Sequence, residues 1–169
     1  MEVMEVTWSS SSRYICMDVS RLNQTSLGTL RALFSSLEIP AMGSIAGTYR
    51  GSFAGPRWTR VAVRPALWVT GLRRWWGKEL TSQGTAINLI RRGEVLSTRF
   101  PMKIIQGKSF IDGRDGLLMY YLPNHPILWL LVEDEIRRLD ENTLLGMTHA
   151  RFPILGRLVL PFVLKKQKS

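Results

Sequence analysis

Ala86-Ile87-Asn88-Leu89-Ile90, then Arg91-Arg92-Gly93-Glu94, then Val95-Leu96-Ser97-Thr98-Arg99-Phe100 is the stretch that decides the fold. Two short runs of strand-forming residues flank a polar turn with a glycine suited to a left-handed position. The pattern repeats downstream. Lys103 to Ile111 and Leu117 to Leu122 flank Asp112-Gly113-Arg114-Asp115-Gly116, a second hairpin signal. Working outward, Val61 and Val63 alternate with Arg60 and Arg64, as in a half-exposed strand. Further strands are expected at Ile127–Val132, Glu135–Leu139, Thr143–Thr148 and Leu158–Lys165. Pro161 inside the last of these points to an edge or a bulge. Eight or nine short strands with no interleaved helices make an antiparallel all-β domain, a barrel or a sandwich.

One helix precedes them. Leu27, Leu30, Leu33, Phe34 and Leu37 form one apolar stripe within 24–37. Thr25 or Ser26 is its expected N-cap, and Pro40 bounds it. Residues 1–20, with Ser9 to Ser12 in a row, read as a flexible tail, and 21–169 as the single barrel domain.

The 169 residues carry 23 Lys+Arg against 13 Asp+Glu, a formal net charge of +10. Hydrophobic residues at 45% and charged residues at 21% describe a folded chain, not a disordered one. No run approaches the ~18 apolar residues of a spanning helix. The acidic opening, with Glu2 and Glu5, does not resemble a secretory leader, so a cytoplasmic protein is expected. Cys16 is the only cysteine, which excludes an internal disulfide. No P-loop, G-x-G-x-x-G, G-x-S-x-G or H-E-x-x-H pattern occurs, which disfavours nucleotide-dependent, serine hydrolase and zincin chemistry.

From Leu27 to Lys166 the chain resembles the GXWXG-type domain family of small lipocalin-like barrel proteins. The resemblance is carried by Ala32-Leu33-Phe34-Ser35-Ser36-Leu37, Pro40, Gly47-Thr48-Tyr49-Arg50-Gly51 and Arg74-Trp75-Trp76-Gly77-Lys78-Glu79-Leu80. It continues through Asp134-Glu135-Ile136-Arg137-Arg138-Leu139-Asp140, Thr143-Leu144-Leu145-Gly146-Met147 and Pro161-Phe162-Val163-Leu164. Tyr49 stands in place of the motif tryptophan, and Glu135 where the family often has histidine. The resemblance implies a mostly-β chain, a single antiparallel lipocalin-like (calycin-type) barrel with a short N-terminal helix covering one end. It implies no settled activity, so function has to come from the site.

Trp58, Trp68, Trp75 and Trp76 fall within nineteen residues. In a barrel, alternate positions face inward, so indoles from this group, with Tyr49, Tyr121 and Trp129, are expected to wall a small-molecule cavity. Trp75 and Trp76 are adjacent, so one should face in and the other out. Asp134 should face opposite Glu133 and Glu135. An acid inside an apolar barrel is either paired, with Arg137 or a nearby arginine, or free to move a proton. His125, between two prolines, is a barrel-mouth candidate. His125 and His149 are the only histidines, and haem is an alternative cofactor to none at all. No Cys/His spacing suits a metal.

The leading expectation is a binder of a hydrophobic small molecule, with an anionic head as one option. Its walls are Tyr49, Trp58, Trp68, Trp75, Trp76, Trp129 and Tyr121, with Asp134 and Arg137 orienting the polar end. The alternative is a cofactor-free isomerase or cyclase acting on a terpenoid or polyketide-like intermediate, with Asp134, His125 or Tyr121 moving the proton. The third reading uses the basic stretch 57–78, which holds no acid, on an anionic membrane surface or, less favoured, nucleic acid. A homodimer is compatible with all three.

Overall fold

The computed structural model describes residues 19–123, 125, 127–150 and 159–168. The expected tail, 1–20, and Cys16 lie almost wholly outside them. Eight strands run β1 (Gly47–Phe53), β2 (Trp75–Leu80), β3 (Thr85–Arg92), β4 (Val95–Lys108), β5 (Asp115–Tyr121), β6 (Val132–Asp140), β7 (Thr143–Ala150) and β8 (Val159–Lys166). Each pairs antiparallel with the next, and β8 pairs with β1, Gly51 opposite Leu164, which closes the barrel. Both hairpins read from the sequence are present, β3–β4 around Gly93 and β4–β5 around Gly113.

The expected strands Val95–Phe100 and Lys103–Ile111 are one strand, β4, which ends at Lys108 and leaves 109–111 to the turn. It survives Pro101 because the register shifts there, with Ile87 opposite Pro101 but Asn88 opposite Arg99. Phe100 is the extra residue, at φ 51°. A bulge is where a strand tolerates proline. Pro161 uses a different device. Its carbonyl accepts from the amide of Ala54, just past Phe53, the last residue of β1 paired to β8. Its donorless nitrogen therefore faces the side where β1 has run out.

Two expected strands are helical. Val61 and Val63 lie in α3 (Arg57–Val69), which crosses the upper end of the barrel between β1 and β2. Helical spacing places Thr59, Val63 and Leu67 on one inward face, and this contact overrides the local alternation. Ile127–Leu130 forms a short turn, α4, and β6 begins only at Val132. A brief apolar run cannot distinguish a buried strand from a buried turn. Here Trp129 decides, donating its indole N–H to the carbonyl of Thr70 at 3.1 Å.

The N-terminal helices are α1 (Val19–Leu22) and α2 (Leu27–Ser36). Ser26 caps α2 by accepting from the amide of Thr29 at 3.1 Å. The helix does not cover a barrel end, as expected from the sequence, but lies on the outer wall. Leu30 and Phe34 pack with Leu22 of α1 and with Leu139, Leu145, Met147 and Val163, outward residues of β6–β8. The lower end is closed instead by the 3₁₀ turn Met42–Ile45. Ile45 joins Tyr49, Leu80, Ile104, Leu117 and Leu164 in the interior. The core thus fills the lower half of the barrel. No helix among the described residues is long and apolar enough to cross a membrane.

Candidate functional site

The upper half of the barrel holds a void of about 220 Å³. Its walls are almost entirely apolar. Val63, Leu67 and Leu72 contribute from α3 and the segment after it, and Phe53, Trp75, Trp129, Val132, Leu160 and Phe162 from the barrel and α4.

Two inward glycines shape it. A Cβ on Gly51 would run into the indole of Trp75, and one on Gly146 into the ring of Phe162. The rings occupy that space and meet edge to face, centroids 6.1 Å apart. The Gly-x-Tyr-x-Gly segment therefore supplies the floor under Trp75 as well as a strand.

A polar cluster sits at one side of the void. Lys78 Nζ lies 3.0 Å from Asp134 Oδ2, both side chains almost fully buried. It also donates to Asn88 Oδ1 at 2.9 Å. The Trp75 indole N–H donates to the same amide oxygen at 3.1 Å. Asn88 Nδ2 in turn donates to the Tyr121 hydroxyl at 3.3 Å. Thr148 donates to the other oxygen of Asp134 at 2.6 Å. Trp75, Lys78, Asn88, Tyr121, Asp134 and Thr148 all line the void.

A bulge brings Trp75 and Lys78 together. The β2–β3 register shifts between Trp75 and Gly77, so side chains three positions apart both face inward. Gly77 is required at the crossing, because a Cβ there would collide with the carbonyl of Tyr49. Burial pushes the Tyr121 hydroxyl well above its usual range; the nearby charge of Asp134 adds to this and the bond from Asn88 opposes it. Tyr121 is therefore a neutral O–H group in the wall of the void.

The structure brings together Asp134, Tyr121, Trp75 and Trp129 of the expected site residues. Asp134 does face opposite Glu133 and Glu135. Its partner, however, is Lys78 and not an arginine.

The other expected residues lie elsewhere. Arg137 is on the outer face of β6, fully buried, bound to Asp112 at 3.0 Å and Glu135 at 3.2 Å, with Phe34 over its guanidinium. It cannot orient a ligand inside, because residues an odd number apart on a regular strand face opposite sides. Tyr49 is inward but below the void, its hydroxyl donating to the carbonyl of Ile45 at 3.0 Å. Burial raises its pKa, with the charge of Arg138 opposing.

Trp76 faces out beneath the guanidinium of Arg50, while Trp75 faces in. Trp58 and Trp68 are on the outer side of α3, 57% and 63% exposed. His125 stands near the mouth, its Nε2 3.1 Å from the carbonyl oxygen of Pro101 and its ring edge-on to Phe100, but it does not line the void. His149 is outside the barrel, stacked on Phe110. Among the described residues, no three His, Cys, Asp or Glu side chains are grouped to hold a metal ion.

Lys78, Asn88 and Thr148 were not singled out from the sequence. Lys78 sits within a basic run that reads as a solvated face, and only the bulge turns it inward. Asn88 carried a usable signal, since it is a lone polar residue between Ile87 and Leu89 in an apolar strand.

No protein-family model matches the chain, and no curated protein matches it. Among solved structures, the chain is similar to a protein from Thermomonospora curvata at 17% sequence identity and a TM-score of 0.68. The match covers 89% of this chain and 93% of that one. At that identity the likeness is one of fold.

Proposed function

We propose that the protein binds a small, largely apolar molecule in the upper half of the barrel, with a neutral hydrogen-bonding head at the Lys78–Asp134–Asn88–Tyr121 cluster. The observation that carries this is the void itself. Protein interiors are packed nearly as densely as organic crystals. Core side chains fill the lower half of this barrel, while the upper half keeps an open-mouthed space between its walls. An apolar cavity of ~150 Å³ is enough to hold benzene, so a void of 220 Å³ that is open at its mouth suits a molecule of two or three small rings, one of them lying in the mouth.

The polar cluster favours a hydroxyl or carbonyl head. Lys78 is already neutralised by Asp134, so a carboxylate entering here meets a net charge near zero and one like charge. This turns the expectation of a greasy anion toward a greasy neutral molecule. A buried ion pair is weak evidence for stability, because desolvation offsets most of its attraction. Its presence beside a void supports a role in recognition.

The test is titration with N-phenylnaphthylamine, a neutral apolar fluorophore, read by emission, alongside native mass spectrometry of protein from its own host. Saturable one-to-one binding by the natural protein is expected. Leu67→Trp, which fills the void from α3, should abolish it while leaving the melting temperature intact. Undiminished binding by a folded Leu67→Trp protein would place the ligand elsewhere.

A second reading follows from the same cluster. Asp134 and Tyr121 are ionisable groups touching the void, which is what a cofactor-free isomerase or cyclase needs to move a proton on a shaped substrate. Turnover of a bound host molecule that stops in Tyr121→Phe, with binding retained, would favour this reading over simple binding.

A further inference from the structure

α3 wears its apolar side outward. On the face away from the barrel stand Trp58, Val61, Pro65, Trp68 and Val69, all exposed. Helices of globular proteins usually direct such a face to the core. Of its described side chains, Thr59, Val63 and Leu67 turn inward. Arg57 and Arg64 flank the apolar face and are also exposed. Pro65 leaves the carbonyl of Val61 without its helical donor, on the side open to the surroundings.

A second observation widens this to the whole end of the barrel. Among the described residues, nine large apolar side chains are exposed, and seven of them belong to the upper end. Four are on α3, Val95 and Leu96 are on the β3–β4 tip, and Leu130 is on α4. These elements form one surface. The amide of Arg91 bonds the carbonyl of Arg74, and Trp129 bonds that of Thr70. Exposed Arg73, Arg74, Arg91 and Arg92 surround it, and among the described residues of this end Glu94 is the one exposed acid, 3.5 Å from Arg91. The exposed acids Asp115 and Glu141 lie at the opposite end.

We propose that the upper end of the barrel, led by the outer face of α3, docks on an anionic phospholipid surface, and that the cavity exchanges its ligand with the bilayer through this contact. Tryptophan and apolar side chains on one face with arginines at its edge are the features of a helix lying in the interface plane. The barrel does not span: its outer wall carries exposed Arg50, Glu79 and Lys103, and the apolar outward residues of β6–β8 are covered by α2. The same helix that would meet the lipid roofs the void with Val63 and Leu67. The exchange step rests on the cavity reading above; the docking step does not.

The experiment is co-sedimentation of the full chain with vesicles of phosphatidylcholine alone or mixed with phosphatidylglycerol, with tryptophan emission recorded in parallel. The natural protein should bind the anionic vesicles, with a blue shift, and not the neutral ones. Trp58→Ala/Trp68→Ala should lose at least about tenfold in partitioning, given the apolar area two indoles bury. Arg57→Glu/Arg64→Glu should lose binding with an unchanged melting temperature. Protein preloaded with N-phenylnaphthylamine should release it faster on anionic vesicles, and the tryptophan variant should not.

The docking proposal is overturned if the natural protein ignores anionic vesicles, or if both variants bind them equally well. It is also overturned if the variants only convert a dimer to a monomer, which would make this face a contact between copies, or if the basic end binds RNA and no vesicle. Vesicle binding without any uptake of the fluorophore would keep the docking and sink the exchange.

Discussion

Asp134 and Glu135 are neighbours on β6 and equally buried, each 3% exposed, yet they face opposite sides of the barrel wall. Asp134 points inward, pairs with Lys78, and borders a void. Glu135 points outward and is covered. Ser109 donates to it at 2.8 Å, Arg137 binds it, and α2 lays Phe34 over that guanidinium. Charges in both places are buried and partnered. What separates them is that one cluster has an unfilled space beside it and the other has a helix. Buried charge by itself therefore marks neither a site nor its absence; the neighbouring volume decides.

The sharpest way to break this comparison is Arg137→Ala. It leaves Asp112 with Arg114 alone and buried Glu135 with only Ser109, and removing one partner of a buried pair costs about 3–5 kcal/mol. Urea unfolding should show that loss, while the affinity for N-phenylnaphthylamine of the protein that remains folded should not move. A changed affinity would mean that the outer cluster communicates with the cavity.

Asp134→Asn should do the reverse. The amide keeps the shape and the bond from Thr148 but leaves Lys78 uncompensated. We expect a smaller loss, about 1–3 kcal/mol, since a ligand or water in the void can solvate the ammonium, together with a clear change in ligand affinity. Unaltered affinity would remove the inner cluster from recognition.

The smallest effect is in the pH dependence of the outer cluster. Burial alone would raise Asp112, but hydrogen bonds from Arg137 and Arg114 and the charge of Arg137 outweigh it and hold the carboxyl below the usual range. Asp112 therefore contributes stability above its unfolded value of about pH 4, and that contribution is lost as the pH falls. Glu135 has the opposite sign. Burial raises it, with Asp112 adding and Ser109 and Arg137 opposing. Its contribution is full below its unfolded value of about pH 4.3 and declines as the pH rises through its folded value. Asp112→Asn should flatten the acid-side loss of stability. An acid limb as steep as that of the natural protein would assign the loss to other carboxylates.

The legible parts of the fold were those where local chemistry is decisive. Gly93 and the Asp112–Gly116 turn announce hairpins, Ser26 caps its helix, and the alternation on β6 sets Asp134 against Glu135. The illegible parts are those where a contact from far along the chain overrides a short pattern. Val61 and Val63 alternate like a strand, but the open barrel end offers a surface to Thr59, Val63 and Leu67, and the segment coils to reach it. Arg137 lies three residues from Asp134 and was expected beside it; strand alternation alone, applied strictly, would have separated them. Lys78 was hidden because a bulge changes facing without changing composition.

The sequence by itself determined a mostly-β chain, an inward aromatic at Trp75 or Trp76, and a positive charge gathered in 57–78. It did so because turn propensity, side-chain period and charge are properties of neighbours along the chain. Only the tertiary structure decided that the basic stretch is a helix with its indoles outward, that Lys78 is the partner of Asp134, and that the upper half of the barrel is unfilled. Closure sets these, because the inside of a barrel is defined by residues from all eight strands at once, and a void belongs to none of them.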